Sequence, residues 1–243
     1  MTPGRAHLVL IPGTLCDARL FAHQRRALRG IARVEVLDYR GVRDIPAWLH
    51  ARLRRLPERF SVAGFSLGGL SALALLRAAP ERIERMALVA SNAEGGSAGT
   101  RRRNAVLRRL WHHGGADAVL RRVEPGYFHH EAPRRRHAGL VRDMARRTPH
   151  RAALAQFRWA ATRPPALDVL HDSEAPLLVV SGAHDVLCPR QLQHRLLDAR
   201  PDARWAELPR CGHFLPLEAP AHLSRLLAGW LRTHPKNPHG DTA

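Results

Sequence analysis

Short runs of consecutive apolar residues alternate along the chain with longer stretches whose apolar positions recur every three or four residues. His7 to Ile11 is a short apolar run ended by Pro12-Gly13, and Asp17 then caps a helical stretch to Leu28 that Gly30 closes. Val34 to Asp38 reads as a strand, and Ile45, Trp48, Leu49, Leu53 and Leu56 fall at helical spacing. Phe60 to Gly64 is the next strand, and Leu67 to Ala79 is an apolar helix stopped by Pro80. Met86 to Ala90 follows as a strand. Further on, Pro176 to Ser181, Leu192 to Ala199, Arg204 to Leu208 and His222 to Leu231 repeat strand, helix, strand, helix. Strands that are apolar throughout are buried on both faces. The pattern therefore predicts an α/β fold, a sheet of about six mostly parallel strands with helices on both faces.

Residues 91–170 break this rhythm. They open with the loop composition Glu94-Gly95-Gly96-Ser97-Ala98-Gly99 and continue through helical patterns around Val106 to Trp111, Ala116 to Val123, Ala138 to Arg147 and Arg151 to Thr162, ending at Pro164-Pro165. No strand is evident there. The expected organisation is a core formed by residues 1–90 and 171–232, a helical cap inserted at 91–170, and a frayed tail at 233–243 containing Pro235, Pro238 and Gly240. No internal repeat is visible.

The sharpest local signal is Gly64-Phe65-Ser66-Leu67-Gly68-Gly69, placed between a predicted strand and a predicted helix. A nucleophile on a strained strand-to-helix turn needs small residues two positions to either side, so that the chain can turn tightly and expose the hydroxyl. That position also brings a backbone N–H at the helix start beside a developing oxyanion. Composition alone predicts roughly 0.04 such motifs in a chain of this size. The bland alternative is a glycine-rich helix start with no chemistry. Two later loops weigh against it, Ser181-Gly182-Ala183-His184-Asp185 after one predicted strand and Cys211-Gly212-His213-Phe214 after another. Both open at the carboxyl edge of the sheet, where Ser66 projects and where open α/β sheets build their sites. Ser66, Asp185 and His213 are thereby expected to converge, in that chain order.

These segments resemble the α/β-hydrolases over about residues 7–90 and 175–232. The spacing of Gly182, Asp185 and Pro189, and Gly212-His213 followed by Glu218-Ala219-Pro220, look like the acid and histidine loops of lipase-like and lactonase-like members, and the chain as a whole is similar to carboxylesterase-like and enol-lactonase-like ones. Pro80-Glu81-Arg82-Ile83 after the nucleophile helix is similar to theirs too. The resemblance implies Ser66 as nucleophile, His213 as general base and acid, Asp185 as the residue that orients His213, and an oxyanion hole made by the N–H groups of Leu67 and Thr14. Pro12 stands where the family usually has histidine, only Arg40-Gly41 represents a glycine-rich turn after Asp38, and two leading antiparallel strands are missing. A serine nucleophile separates the chain from relatives that use a carboxylate or a cysteine there, leaving esters, thioesters, lactones or carbon-carbon cleavage. Leu15, Leu67, Val186, Leu187 and Phe214, with Trp111, Tyr127, Phe128, Phe157 and Trp159 from the cap, are the candidate pocket residues and favour an apolar acyl group.

Other residues change the picture less. His112-His113 and His129-His130 are adjacent pairs that point to different faces and complete no ligand set, so neither a metal nor a cofactor is expected. His184 and His222 are rivals for the base, each read as structural. Cys16, Cys188 and Cys211 are an odd number in a long chain, which argues for reduced thiols and a cytoplasmic protein, and no stretch approaches eighteen apolar residues.

Charge raises a separate question. The 243 residues carry 39 Lys+Arg against 21 Asp+Glu, a net +18, and Lys236 is the only lysine. That ratio fits the codon usage of a GC-rich genome better than selection for phosphate contacts, and no basic motif interleaved with aromatics points to nucleic acid. The excess is densest in residues 91–170, which hold sixteen arginines and six acids. Two substrate readings follow: a small ester with an apolar acyl group, or an acyl group held by an acidic acyl carrier protein that docks on cap arginines, as in the similar esterases acting on a pimeloyl-carrier-protein methyl ester. A lactonase, a carbon-carbon hydrolase or a non-catalytic ligand-binding homologue are the remaining alternatives.

Overall fold

A computed structural model describes residues 5–233. Among these residues six strands form one sheet: β1 (Ala6–Ile11), β2 (Ala32–Val36), β3 (Phe60–Phe65), β4 (Ile83–Val89), β5 (Leu177–Gly182) and β6 (Arg204–Leu208). Their order is β2-β1-β3-β4-β5-β6 and every pairing is parallel. The interior strands β3 and β5 are buried at every residue, in keeping with sequences in which a single serine is the only polar side chain of each.

Among the described residues ten α-helices surround the sheet: α1 (Ala22–Leu28), α2 (Ile45–Leu53), α3 (Leu67–Ala78), α4 (Ala98–Val123), α5 (Glu131–Arg146), α6 (His150–Thr162), α7 (Leu167–His171), α8 (Arg190–Ala199), α9 (Leu215–Glu218) and α10 (Pro220–Arg232). Two apolar clusters lie on the two faces. One joins Leu8, Leu10, Phe65 and Val180 to Leu28, Leu227 and Trp230; the other joins Val9, Ile11, Val62 and Val179 to Leu49, Leu73 and Leu196. Alternate residues of one strand thus serve opposite layers.

The six strands and their parallel pairing match the sequence expectation, and several boundaries differ. β4 starts three residues early because Ile83 already pairs with Phe60. Asp17 caps a short 3-10 turn, Ala18–Phe21, that leads into α1, its side chain accepting from the Arg19 N–H. The two expected helices on either side of Gly114-Gly115 are the two arms of α4, separated by a kink where both glycines leave helical geometry. Residues 234–243 of the expected tail lie outside the described residues. α4, α5 and α6 all fall between β4 and β5, above the carboxyl edge. Among the described residues no helix is long and apolar enough to cross a membrane.

Two glycines separate backbone need from mere composition. Gly115 has φ +57° and ψ −149°, a region open almost only to glycine, whereas a β-carbon on Gly139 within α5 would meet nothing within 4 Å. Gly115→Ala is expected to lower stability by ~1–3 kcal/mol and Gly139→Ala to raise it by ~0.5–1 kcal/mol, read as opposite shifts in Tm.

Candidate active site

The winding of the sheet reverses between β1 and β3, since β2 lies on one side of β1 and all later strands on the other. A crevice opens at the carboxyl ends at such a switch point. The register pairs Ile11 with Gly64, so the loop after β1 and the turn after β3 leave the edge side by side. Ser66 sits in that turn with φ +52°, an unusual conformation for a residue with a side chain. Close packing enforces it. A β-carbon on Gly68 would fall 1.9 Å from the Ile11 carbonyl oxygen, and one on Gly64 would fall 2.3 Å from the Gly68 carbonyl oxygen. The Ser66 N–H donates to the Val89 carbonyl at 2.9 Å, and the Ser91 hydroxyl donates to the Ser66 carbonyl at 2.8 Å.

β5 and β6 deliver the other two groups. Gly182 pairs with Leu208, and a β-carbon on Gly182 would come within 2.2 Å of the Gly212 carbonyl oxygen, so the two loops cross in direct contact. The result is a hydrogen-bonded chain: Ser66 Oγ lies 2.9 Å from His213 Nε2, and His213 Nδ1 lies 2.8 Å from Asp185 Oδ2. Asp185 Oδ1 accepts from the N–H groups of Leu187 and Cys188 at 2.8 and 2.9 Å. Asp185 and His213 are 4% and 3% exposed. Burial alone would raise the Asp185 pKa, but the facing His213 and these hydrogen bonds outweigh it and hold the carboxyl below its ordinary value. A carboxylate kept ionised against Nδ1 leaves Nε2 free to take a proton from the hydroxyl.

Two backbone amides near Ser66 are the expected oxyanion donors. Leu67 opens α3, where the first N–H groups have no partner within the helix. Among the described residues the Thr14 N–H donates to no protein acceptor, and Thr14 shares a cavity wall with Ser66. The next residue, Leu15, has φ +57°, and its N–H donates to Gln156 Oε1 at 2.7 Å. Gln156 is 1% exposed on α6, and sequence reasoning missed it. The available signal was one polar side chain in the otherwise apolar buried stripe of Ala152, Ala153, Ala155 and Phe157.

Above Ser66 lies a cavity of about 410 Å³ whose walls are mainly apolar. Of the expected pocket residues, Leu15, Val186, Leu187, Phe214, Tyr127 and Phe157 line it. Val186, 69% exposed, stands at the mouth. Trp111, Phe128 and Trp159 do not line this cavity. Trp159 is two residues from Phe157, so the helix turns it to the opposite side, where it meets Leu70, Leu73 and Ala74. Phe128 follows Tyr127 and packs on Phe214 and His137, while Trp111 backs Phe157 and donates its indole N–H to His150 Nδ1 at 3.0 Å. Leu67 borders an adjoining polar recess.

The rival histidines stand elsewhere. His184 is exposed and stacks on His129 at 3.5 Å, and His222 is exposed at the start of α10. Asp185, Cys188 and His213 bring three possible metal-ligand atoms within 4.8 Å of one another, but two of the groups are bonded to each other and burial pushes the Cys188 thiol up to about 12. All three cysteines are buried and unpaired.

Residues 6–223 match the alpha/beta hydrolase family, and the chain belongs to it; it is a hydrolase. Among curated proteins it is 31% identical over 207 residues to a pimeloyl-[acyl-carrier protein] methyl ester esterase from Aromatoleum aromaticum, covering 77% of this chain and 80% of that one. It is 29% identical over 176 residues to the protein of the same description from Nitrosomonas europaea, covering 65% and 66%. Among solved structures, an enol-lactonase from Burkholderia xenovorans superposes with a TM-score of 0.82 at 24% identity over 96% of this chain and 94% of that one. A thermophilic esterase from Thermogutta terrifontis gives 0.82 at 22% identity over 96% and 95%.

The loop that carries His213 is pinned by Glu218, whose two carboxyl oxygens accept from the N–H groups of Gly212 and His129 at 2.9 and 3.0 Å. Burial raises the Glu218 pKa above its ordinary 4.5 despite those bonds. The folded protein therefore holds the proton more tightly than the unfolded chain, so ionisation costs stability as pH rises through that interval. Wild type is expected to gain stability relative to Glu218→Gln as pH falls from neutral toward 4.5, measured by denaturant unfolding at several pH values.

Proposed function

We propose that this hydrolase is a serine esterase acting on carboxylic esters with an apolar acyl group. The observation that carries the reading is the unbroken Ser66-His213-Asp185 hydrogen-bonded chain opening into an apolar cavity. In this reading Ser66 Oγ attacks the ester carbonyl carbon while His213 Nε2 takes its proton. The negative charge that develops on the carbonyl oxygen is met by the N–H groups of Thr14 and Leu67. Collapse of the tetrahedral species expels the alcohol, protonated by His213, and leaves an acyl group on Ser66. Water, deprotonated by the same nitrogen, then releases the acid. Asp185 keeps the His213 proton on Nδ1 during resting and stabilises the imidazolium formed in each half-reaction.

The helices of residues 91–170 act here as a cap. Tyr127 contributes its carbonyl, which accepts from the N–H groups of His213 and Phe214 at 3.0 and 2.9 Å, so the cap helps set the base. Gln156 fixes the Leu15 amide and thereby the aim of the Thr14 N–H. The esterase named for the curated relatives takes an acyl group on an acyl carrier protein, and the cap surface supports the same substrate here. Arg102, Arg108, Arg109, Arg121, Arg135 and Arg136 are exposed, and among the described residues none is paired with a carboxylate. An acidic partner would find those charges free.

Ser66→Ala is expected to lower kcat/KM for p-nitrophenyl butyrate by at least ~10⁴-fold; unchanged turnover would remove Ser66 from the chemistry. Gln156→Met leaves the Leu15 N–H buried without an acceptor, and its expected effect is a ~10–100-fold fall in kcat with KM little changed, since the lost interaction acts on the oxyanion and not on the bound ester. For the carrier reading, a methyl ester on an acidic carrier should be cleaved faster than the free acyl methyl ester at low salt, and the advantage should shrink as salt is added. Equal rates at low salt would leave the small-ester reading alone.

A further inference from the structure

Three arginines are buried among the described residues, and two are fully explained by the fold. Arg85 donates from Nε and Nη2 to the Thr233 carbonyl at 3.1 and 2.6 Å. Arg200 grips Asp202 at 2.8 and 2.9 Å and reaches the carbonyls of Leu170 and Ala175. Arg163 is different. It is 8% exposed at the end of α6, donates to the Ala160 carbonyl and reaches Asn92 Oδ1 only at 3.4 Å, and its Nε is buried with no acceptor. It forms no ion pair with any described carboxylate. A buried guanidinium in this condition forgoes the compensation that normally accompanies burial of charge.

Its position gives the deficit a meaning. Arg163 lines a cavity of about 280 Å³ that also reaches Thr14, Ser66 and His213 and is polar where the neighbouring cavity is apolar. Arg103, on α4, lines the same cavity. The only carboxylate among its described lining residues, Glu94, is already engaged by Arg195 Nε at 3.0 Å. Burial lowers the Arg163 pKa, and the Arg103 charge acts in the same direction, against the opposing influence of Cys188 and Glu94. Two like charges on one polar recess, one of them buried without a counter-charge, are arranged for an anion that accepts several hydrogen bonds at once.

We propose that Arg163 and Arg103 form an anion subsite beside Ser66 that holds a carboxylate or phosphate group carried by the ester substrate. The cleft then has two limbs meeting at Ser66, one apolar and one for an anion. A neutral ester leaves the buried Arg163 charge without a counter-charge, whereas an anionic one supplies it, so the subsite selects among substrates. That the anion belongs to a substrate rests on the esterase reading above; the subsite itself does not.

The test compares kcat/KM of the full chain for methyl hexanoate, monomethyl adipate, hexanoyl glycolate and the hexanoyl ester of 2-hydroxyethyl phosphate. These arms place no anion, an acyl-side carboxylate, an alcohol-side carboxylate and an alcohol-side phosphate. At least one anionic ester is expected to exceed methyl hexanoate by about tenfold or more, and Arg163→Met and Arg103→Gln should each reduce that ratio about tenfold, mainly through KM. Arg225→Gln removes the same charge from the exposed side of α10, outside the cavity, and should leave the ratio unchanged. Arg103 is exposed, so its variant carries the comparison if Arg163→Met does not fold. A ratio near one in wild type, or one untouched by the Arg103 and Arg163 variants, overturns the subsite. If no ester is turned over, the esterase reading fails and the subsite is judged by thermal unfolding. Inorganic phosphate or glutarate should then raise the Tm of wild type more than that of Arg103→Gln, and equal shifts overturn it.

Discussion

At the carboxyl edge of the sheet, backbones approach one another so closely that only glycine fits between them. Gly68 abuts the Ile11 carbonyl, Gly64 abuts Gly68, and Gly182 abuts the carbonyl of Gly212. The first two contacts let α3 start directly against β1 and β3, and so force Ser66 into positive φ with its hydroxyl outward. The third brings the acid loop against the histidine loop. Side-chain volume at any of these positions would separate elements that must touch, and the Ser66-His213-Asp185 chain would lengthen with them. The geometry of the site is thus a consequence of backbone packing before it is one of side-chain chemistry.

The helices between β4 and β5 complete what the sheet begins. They enclose the cavity through Leu107, Tyr127 and Phe157, hold the His213 loop through the Tyr127 carbonyl, and fix the Leu15 amide through Gln156. The last two contacts hold backbone of the His213 loop and of the loop after β1 from a distant part of the chain, and a shift of the helices would disturb both loops together. The proposed cap is in this sense part of the chemical machinery as well as a cover. It also supplies most of the excess positive charge, with Arg103 turned to the cleft and Arg163 beneath it, while many of the remaining arginines face solvent.

Most of the sheet could be read from the sequence because parallel strands buried on both faces leave unbroken apolar runs such as Leu8 to Ile11 and Leu177 to Val180. Ser66 and Asp185 were legible for a related reason, since each lies in a turn directly after such a run and close to a glycine, whereas His213 follows the mixed strand Arg204–Leu208 and was marked by Gly212 beside it. Boundaries such as the early start of β4, and the short helix α7, depend on pairing and packing that local pattern does not carry.

Sequence by itself determined which residues could reach the carboxyl edge and in what order, since strand period and turn residues are local properties. Tertiary structure decided which way each cap side chain faces. Phe157 and Trp159 are both large, aromatic and buried on one helix, yet only Phe157 meets the cavity, because the rotation between positions two apart sends them to opposite sides. Gln156 and Arg163 are likewise ordinary letters in the sequence. They acquire roles because α6 buries one against the Leu15 amide and the other without a counter-charge, and burial relative to distant partners is a property of the folded chain alone.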